Sequence, residues 1–157
     1  MLDDIDKKII TLLQQNARIP NAEIARQIGM APSAILERIR KLEEQGVILG
    51  YEAKLNPKAL GLGLLAFVFI KAEKPDRTGE LLGNIPGVQE VHNIAGEDCF
   101  LVKVRTEGTE ELGKLLHDEF RNVGSVTGTK PTIVLTTLKE TAQLVIPEAS
   151  AEGKNHG

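Results

Sequence analysis

Apolar residues recur at helical spacing in three successive segments between Leu2 and Gly46. The positions are Ile5, Ile9, Leu12 and Leu13, then Ile24 and Ile28, then Ile35, Ile39 and Leu42. A repeat of three or four residues is typical of helices with one buried face, so the pattern predicts three helices. Asp3 or Asp4 is expected to cap the first helix and Asn21 the second. Pro32 suits the first position of the third helix, and Gly46 suits its C-terminal cap.

From Val47 the apolar period changes to about two, which predicts strands. We expect a short strand within 47–55, a turn at Asn56-Pro57 and a linker over 56–63. The elements predicted after it are a strand at 64–71, a helix at 76–83, strands at 88–94 and 99–105, a helix at 109–120 and a strand at 127–138. This β-α-β-β-α-β order is that of a ferredoxin-like fold, a four-stranded antiparallel sheet with helices on one face. The chain is therefore predicted to be α+β.

The strands at 64–71 and 99–104 are apolar at nearly every position. Helices can cover only one face of the sheet, so the second face also needs an apolar partner. A second copy of the chain would supply that cover. We therefore expect a homodimer that packs sheet against sheet.

Composition limits the classes of function. The chain has 157 residues and a formal net charge of −3, so any contact with phosphate must come from a local basic patch. Only 3% of residues are aromatic, which disfavours stacking of exposed bases. The longest apolar run, at 60–70, is too short to span a bilayer, so no membrane role is predicted. A single Cys fits a reducing cytoplasm.

The second and third predicted helices are separated by the short sequence "GMAP". Two helices joined by such a turn are typical of a helix-turn-helix, whose second helix enters the DNA major groove. With the apolar stripe of the third helix buried, Ser33, Glu37, Arg40, Lys41 and Glu44 lie on its opposite side. Arg38 lies beside the stripe, where it fits either an ion pair within the domain or a contact to the DNA backbone. On pattern alone, a plain structural bundle with a solvated charged face remains an alternative.

The candidate DNA contacts differ in kind along the third helix. Ser33, Ala34 and Glu37 lie near the N-terminal end, where such proteins touch base edges. Arg40 and Lys41 are better placed for phosphates. Glu37, Glu43 and Glu44 offset the basic charge, which weakens the electrostatic argument. The partner predicted from these residues is double-stranded DNA.

The N-terminal segment closely resembles the DNA-binding domain of the Lrp/AsnC family, the feast/famine transcription regulators. The matching stretches are "LDDIDKKII", "NAR", "EIARQIG", "ERIRKLEEQGVI", "GY" and "LNPKALG". "IPGVQEVHNIAGEDCFLVKV" and "IVLTTLKE" are similar to that family's ligand-sensing domain. The chain departs from the family where "GMA" replaces "GLS", so Ala31 supplies no side-chain oxygen to cap the third helix.

The resemblance implies a winged helix-turn-helix domain at 1–55, the linker at 56–63 and a ferredoxin-like, RAM-type domain at 64–140. Residues 141–157 are expected to be a frayed tail. The second domain is then expected to dimerise, to assemble further into octamers, and to bind a small effector of the amino-acid class. No cofactor is expected.

The candidate effector site is the hairpin "HNIAGEDCF". Gly96 allows a tight turn that presents backbone amides to a carboxylate, and Asp98 can receive an ammonium group. A plain β-turn explains the same residues without a ligand. The full set of candidate effector residues is Gly96, Glu97, Asp98, Val123, Ser125 and Thr127.

Two other classes of function are considered. His92 and Cys99 could face each other across the hairpin as a thiol nucleophile and its base, but a small buried Cys and a solvated His are the simpler interpretation. The His residues at 92, 117 and 156 are scattered, so no metal site is predicted. The alternative to a DNA-binding regulator is a small-molecule-binding regulatory subunit that acts on a protein partner.

Overall fold

Three helices form at the N-terminal apolar segments in the computed structural model, which describes residues 1–148. Helix α1 is Asp4–Gln15, α2 is Asn21–Ile28 and α3 is Pro32–Glu44. Their stripes meet in one core, whose buried members are Ile9, Leu13, Ile24, Ala25, Ile35, Ile39 and Leu42. Helices of this length depend on such packing for stability. They belong to the helical unit, residues 1–54 and 140–148, and residues 55–139 form the sheet unit.

The helix ends follow the sequence only in part. Asp3 caps α1 as predicted: the Asp6 N–H donates to Asp3 Oδ1 at 2.8 Å, and the Asp3 N–H donates to Asp6 Oδ2 at 3.3 Å. The prediction of Asn21 as the cap of α2 is wrong, because Asn21 is the first helical residue. The carbonyl of Pro20 accepts from the Ile24 N–H at 3.1 Å, so the helix begins one residue earlier.

The strand predicted within 47–55 is wrong, since the structure assigns no strand there. A strand needs a hydrogen-bonding partner, and no described strand pairs with this segment. The segment is tied to α3 instead. The Ile48 N–H donates to the Leu42 carbonyl at 3.1 Å, and Tyr51 Oη donates to Glu43 Oε1 at 3.0 Å. Partial burial, followed by the bond to Glu43, raises the pKa of Tyr51 to about 12, so its hydroxyl stays a donor at neutral pH.

The sheet unit has the predicted order of elements. After a 3-10 turn at Lys58–Leu60 come β1 Leu64–Ala72, α4 Pro75–Gly83, β2 Val88–Asn93, β3 Phe100–Thr106, α5 Thr109–Lys114 and β4 Val126–Ile133. The strands lie in the order β2-β3-β1-β4, and each neighbouring pair is antiparallel. This arrangement confirms the ferredoxin-like fold.

Alternate residues of the two central strands face the helices. The core on that face contains Ala66, Val68, Ile70, Phe100, Val102 and Val104, together with Leu82, Ile85, Leu112 and Phe120. The opposite face is open: β1 contributes Phe67 and Phe69, and β3 contributes Leu101 and Lys103. All four residues are only partly buried within the chain, and the three apolar ones form a strip across the open face.

Two elements end earlier than predicted. The helix expected over 109–120 is α-helical only to Lys114 and continues as a π-helical turn, Leu115–Glu119, and a 3-10 turn. In a continuous α-helix, Phe120 would lie about a quarter turn around the helix axis from Leu112. The wider π-helical turn changes this angle, and both side chains are buried in the structure. The last strand stops at Ile133 rather than residue 138: its pairing with β1 ends at Ala66, and beyond it the Val134 N–H donates one more hydrogen bond, to the Leu65 carbonyl at 2.9 Å.

Residues 141–148 contain no helix or strand, but they are held to α1. Gln14 Nε2 donates to the Leu144 carbonyl at 2.7 Å, and the Leu144 N–H donates to Gln14 Oε1 at 3.0 Å. The rest of the predicted frayed tail, 149–157, lies outside the described residues. Among the helices of the described chain, none is both long enough and apolar enough to cross a membrane.

Gly124 occupies a position that requires glycine. Its φ is +51°, and a Cβ placed there would lie 2.5 Å from Thr78 Oγ1. We therefore expect Gly124→Ala to lower the free energy of unfolding by about 1–3 kcal/mol. Gly113 is the matched control, because it lies in α5 and a Cβ added to it would have no atom within 4 Å. Gly113→Ala should stabilise the chain by about 0.5–1 kcal/mol. Urea unfolding followed by circular dichroism measures both changes, and equal effects of the two substitutions would contradict the requirement for glycine at position 124.

Candidate nucleic-acid interface and effector site

The outer face of α3 is presented as the sequence predicts. Ile35, Ile39 and Leu42 are buried, which fixes the rotation of the helix about its own axis. The candidate contacts Ser33, Glu37, Arg40 and Lys41 are exposed, and Ala34 is partly buried. These side chains lie together on the side away from the core of the helical unit. Whether they contact DNA stays a prediction.

The turn between α2 and α3 is short and is closed by backbone hydrogen bonds. The N–H groups of Gly29 and Met30 both donate to the carbonyl of Ala25, at 2.8 and 3.0 Å. Gly29 has a φ of +82°, a left-handed conformation that ends α2. Ala31 precedes α3 without a side-chain cap, as expected, and Pro32 is the first helical residue. The turn therefore allows α3 to start immediately after α2.

Arg40 has a weak partner on its own helix. Its Nη1 lies 3.7 Å from Glu37 Oε2, and the two side chains are 60% and 57% exposed. Ion pairs this exposed are worth at most about 1 kcal/mol and are screened by salt. Arg40 can therefore exchange Glu37 for a phosphate at little cost.

Arg38 is engaged within the helical unit. Its Nη1 lies 2.7 Å from Asp3 Oδ2 and 3.1 Å from Asp6 Oδ1, and only 29% of its side chain is exposed. Both carboxylates belong to the capping box of α1, so one guanidinium ties the start of α1 to the middle of α3. The hydrogen bond from Arg38 holds the pKa of Asp3 below its usual value. Of the two roles expected for Arg38, the geometry favours the ion pair.

The candidate effector loop connects β2 to β3. Gly96 and Glu97 are exposed, whereas Asp98 is only 7% exposed. Asp98 Oδ2 lies 3.1 Å from Lys130 Nζ, on β4. Gly96 does not have a positive φ, and nothing lies within 4 Å of a Cβ built on it. The turn at Gly96 therefore does not depend on the conformational freedom of glycine, and the role of this residue in effector binding stays a prediction.

The other candidate effector residues precede or begin β4. Ser125 is occupied: its Oγ accepts from the Lys74 N–H at 2.7 Å and donates to the Lys74 carbonyl at 2.9 Å. Val123 packs against the sheet core, and Thr127 is exposed. Since β3 and β4 both start next to the end of β1, the structure brings the 96–98 loop and residue 127 to the same end of the sheet. Ser125 binds the backbone of Lys74, just before α4, and so its hydroxyl does not face an open site.

The possible thiol pair does not form. His92 lies opposite Leu101 rather than Cys99, and its Nε2 is 2.9 Å from Glu90 Oε1. Cys99 Sγ donates to the carbonyl of Ala72 at 3.4 Å. Within residues 1–148 no group of three or more His, Cys, Asp or Glu is placed to hold a metal ion, and the third His lies outside that range.

Two partners were not predicted from the sequence: the carboxylates bound by Arg38, and Lys130 beside Asp98. The first had a signal, because Asp3 and Asp6 are charged residues at the start of a helix next to a basic helix. The contact between Lys130 and Asp98 had no signal in the sequence, because the register between β1 and β4 decides which residue of β4 reaches the 96–98 loop.

Comparison with known proteins agrees with this architecture. Residues 2–43 match the AsnC-type helix-turn-helix domain, and residues 65–144 match the Lrp/AsnC ligand binding domain. An HTH-type transcriptional regulator of Pyrococcus furiosus is 43% identical over 148 residues, which cover 93% of this chain and 97% of the relative. A leucine-responsive regulatory protein of Haemophilus influenzae is 37% identical over 150 residues, covering 92% and 90%. Neither name describes an enzyme.

A solved structure extends the likeness to the whole fold. The feast or famine regulatory protein from M. tuberculosis, complexed with L-methionine, superposes with a TM-score of 0.87 at 34% identity, covering 93% of this chain and 100% of that one. Both units of the chain therefore have counterparts of the same type and in the same order. The chain belongs to the Lrp/AsnC family of helix-turn-helix transcriptional regulators.

Proposed function

We propose that this regulator reads operator DNA with the outer face of α3 and responds to an amino acid bound beside Asp98. The observation that carries the DNA proposal is the rotation of α3, set by its three buried apolar residues, which turns one polar face outward. Ser33, Ala34 and Glu37 lie in the N-terminal half of that face and are assigned to base edges. Arg40 and Lys41 follow and are assigned to phosphates.

Arg38 is assigned a positioning role. Its Nη1 is bound to both Asp3 and Asp6, so a contact with phosphate would leave two carboxylates without their cation. Arg38 instead fixes α3 against α1, and thereby the angle at which the polar face meets DNA. This assignment separates it from Arg40 and Lys41, whose side chains are exposed.

Phosphate contacts are measurable as salt dependence. We expect Arg40→Gln and Lys41→Gln each to weaken binding to the protein's own promoter region, and each to reduce the slope of log K against log salt by about 0.9, because one fewer counterion is released. Gel-shift titrations at several salt concentrations measure both quantities.

Two controls accompany that titration. Lys114→Gln removes one positive charge from an exposed helix of the sheet unit and should change neither quantity. Arg38→Gln should lower affinity and the free energy of unfolding but keep the slope. Absence of binding to every promoter fragment would contradict the proposal and favour a regulatory subunit that acts on a protein partner.

The open face of the sheet is proposed as the homodimer interface. Phe67, Phe69 and Leu101 form an apolar strip there. A two-fold interface buries the same strip on both copies. The dimer would present two α3 helices to half-sites one DNA turn, about 34–36 Å, or a multiple of it apart. Octamers, implied by the family resemblance, would form from such dimers.

Light scattering during gel filtration tests this interface. Phe67→Glu places a charge in the middle of the strip, and we expect it to reduce the mass to that of a monomer, because burying an unpaired carboxylate is costly. Leu81→Glu is the control: Leu81 is 45% exposed on α4, on the helical side, and its change should preserve the assembly. A dimeric Phe67→Glu variant that remains folded would reject this interface.

The effector proposal rests on Asp98 and the chemistry of amino acids. Asp98 offers a carboxylate of low exposure to an ammonium group, and the exposed residues around Gly96 have backbone amides that suit a carboxylate. One solved relative is complexed with L-methionine, and another relative is named leucine-responsive. These two amino acids are therefore the first probes, and binding would control transcription only if it favours one assembly over another.

Calorimetry with L-methionine and L-leucine tests the site. We expect Asp98→Asn to weaken binding by roughly 10–100-fold, because a hydrogen bond to a charged group is lost. The control is Asp118→Asn, an exposed carboxylate after α5, which should bind as the unmodified chain does. Binding unchanged by Asp98→Asn would place the effector elsewhere.

A further inference from the structure

Asp98 already has a cation beside it. Its side chain is only 7% exposed, and Oδ2 lies 3.1 Å from Lys130 Nζ. Burying a carboxylate without a partner is costly, and the ammonium of Lys130 is the partner of Asp98. Lys130 itself is 63% exposed, so the pair is closed on the carboxylate side and open on the lysine side.

A second contact holds the ammonium in place. Lys130 lies opposite Phe69 in the β1–β4 ladder, and its Nζ is 5.8 Å from the centroid of that ring. This distance is within the range of a cation–π interaction. The ammonium therefore lies between a carboxylate and an aromatic face at the end of the sheet.

The α-ammonium of an amino acid and the ε-ammonium of lysine are the same chemical group, each with N–H donors and one positive charge. Both cannot occupy the same position at Asp98 Oδ2. We propose that Lys130 is a tethered competitor for the effector: it occupies the ammonium position in the free protein and must leave when an amino acid binds. This inference rests on the proposed role of Asp98 in effector binding.

The flexibility and exposure of the Lys130 side chain make this displacement feasible. Within a single chain its flexible four-carbon stem is mostly exposed, so the released ammonium regains water. The apparent affinity equals the intrinsic affinity multiplied by the fraction of time that the position is free. Lys130 would therefore set the amino-acid concentration at which the regulator responds.

Calorimetry of L-methionine binding to variants at position 130 tests the competition. Lys130→Met should bind L-methionine roughly two- to tenfold more tightly than the unmodified chain, because the competitor is gone. Lys130→Arg should bind more weakly, because a guanidinium fork pairs with a carboxylate more firmly. Lys114→Met, which removes a lysine of similar exposure from α5 on the helical side of the sheet, controls for net charge and should change the affinity less than twofold.

A purely structural ion pair gives the opposite order. If Lys130 only supported the loop, Lys130→Met would loosen Asp98 and weaken binding, and that result would overturn the inference. If the unmodified chain binds with the expected loss in Asp98→Asn but Lys130→Met is no tighter, the competitor fails while the effector site stands. If no variant binds L-methionine or any of the other standard amino acids, the effector proposal fails, and the inference with it.

A spectroscopic measurement observes the exchange directly. In the NMR spectrum of protein with ¹³C-labelled lysine, the Phe69 ring should shift the ε-methylene signal of Lys130 away from the position of a free lysine. L-Methionine should move the signal to the position of a free lysine, as should Asp98→Asn without any ligand. A signal that stays in place while calorimetry records binding would reject the displacement.

Discussion

Packing of the α3 stripe against α1 and α2 is the constraint on which the DNA-binding half depends. Ile35, Ile39 and Leu42 enter a core with Ile9 and Ile24, and this leaves α3 a single rotation about its axis. An error of one residue in that packing would turn the helix by about 100° and bury the polar face. The orientation of the outer side chains is thus fixed by apolar residues that are buried in the core.

The structure of the DNA-binding half could be predicted well because the features that determine it are local in the sequence. Helical period, Asp3 as a cap and Pro32 at a helix start are all properties of neighbouring residues. The strand expected within 47–55 failed because a strand is defined by its partner, which local pattern cannot supply. The cap expected at Asn21 failed by one residue, the usual precision of helix boundaries.

In the sheet unit, the order of elements was predictable and the chemistry of the site was not. Because β1 and β3 are apolar at nearly every position, the sequence predicted that both faces of these strands need cover, and the structure places helices on one face. The pairing of Asp98 with Lys130 depends on the register of β4 against β1, in which Lys130 lies opposite Phe69. Moving that register by one residue would send Lys130 to the other face, so no motif could have indicated the pair.

The two units use a basic side chain against carboxylates in contrasting ways. Arg38 is bound to Asp3 and Asp6, and its exposure is low, so its removal would leave two carboxylates without their cation. Lys130 meets one carboxylate with a single point charge on a largely exposed stem. A guanidinium between two carboxylates favours one fixed geometry, whereas an ammonium at one carboxylate can be exchanged for another ammonium. The choice of residue therefore suits a fixed recognition helix in one unit and a replaceable contact in the other.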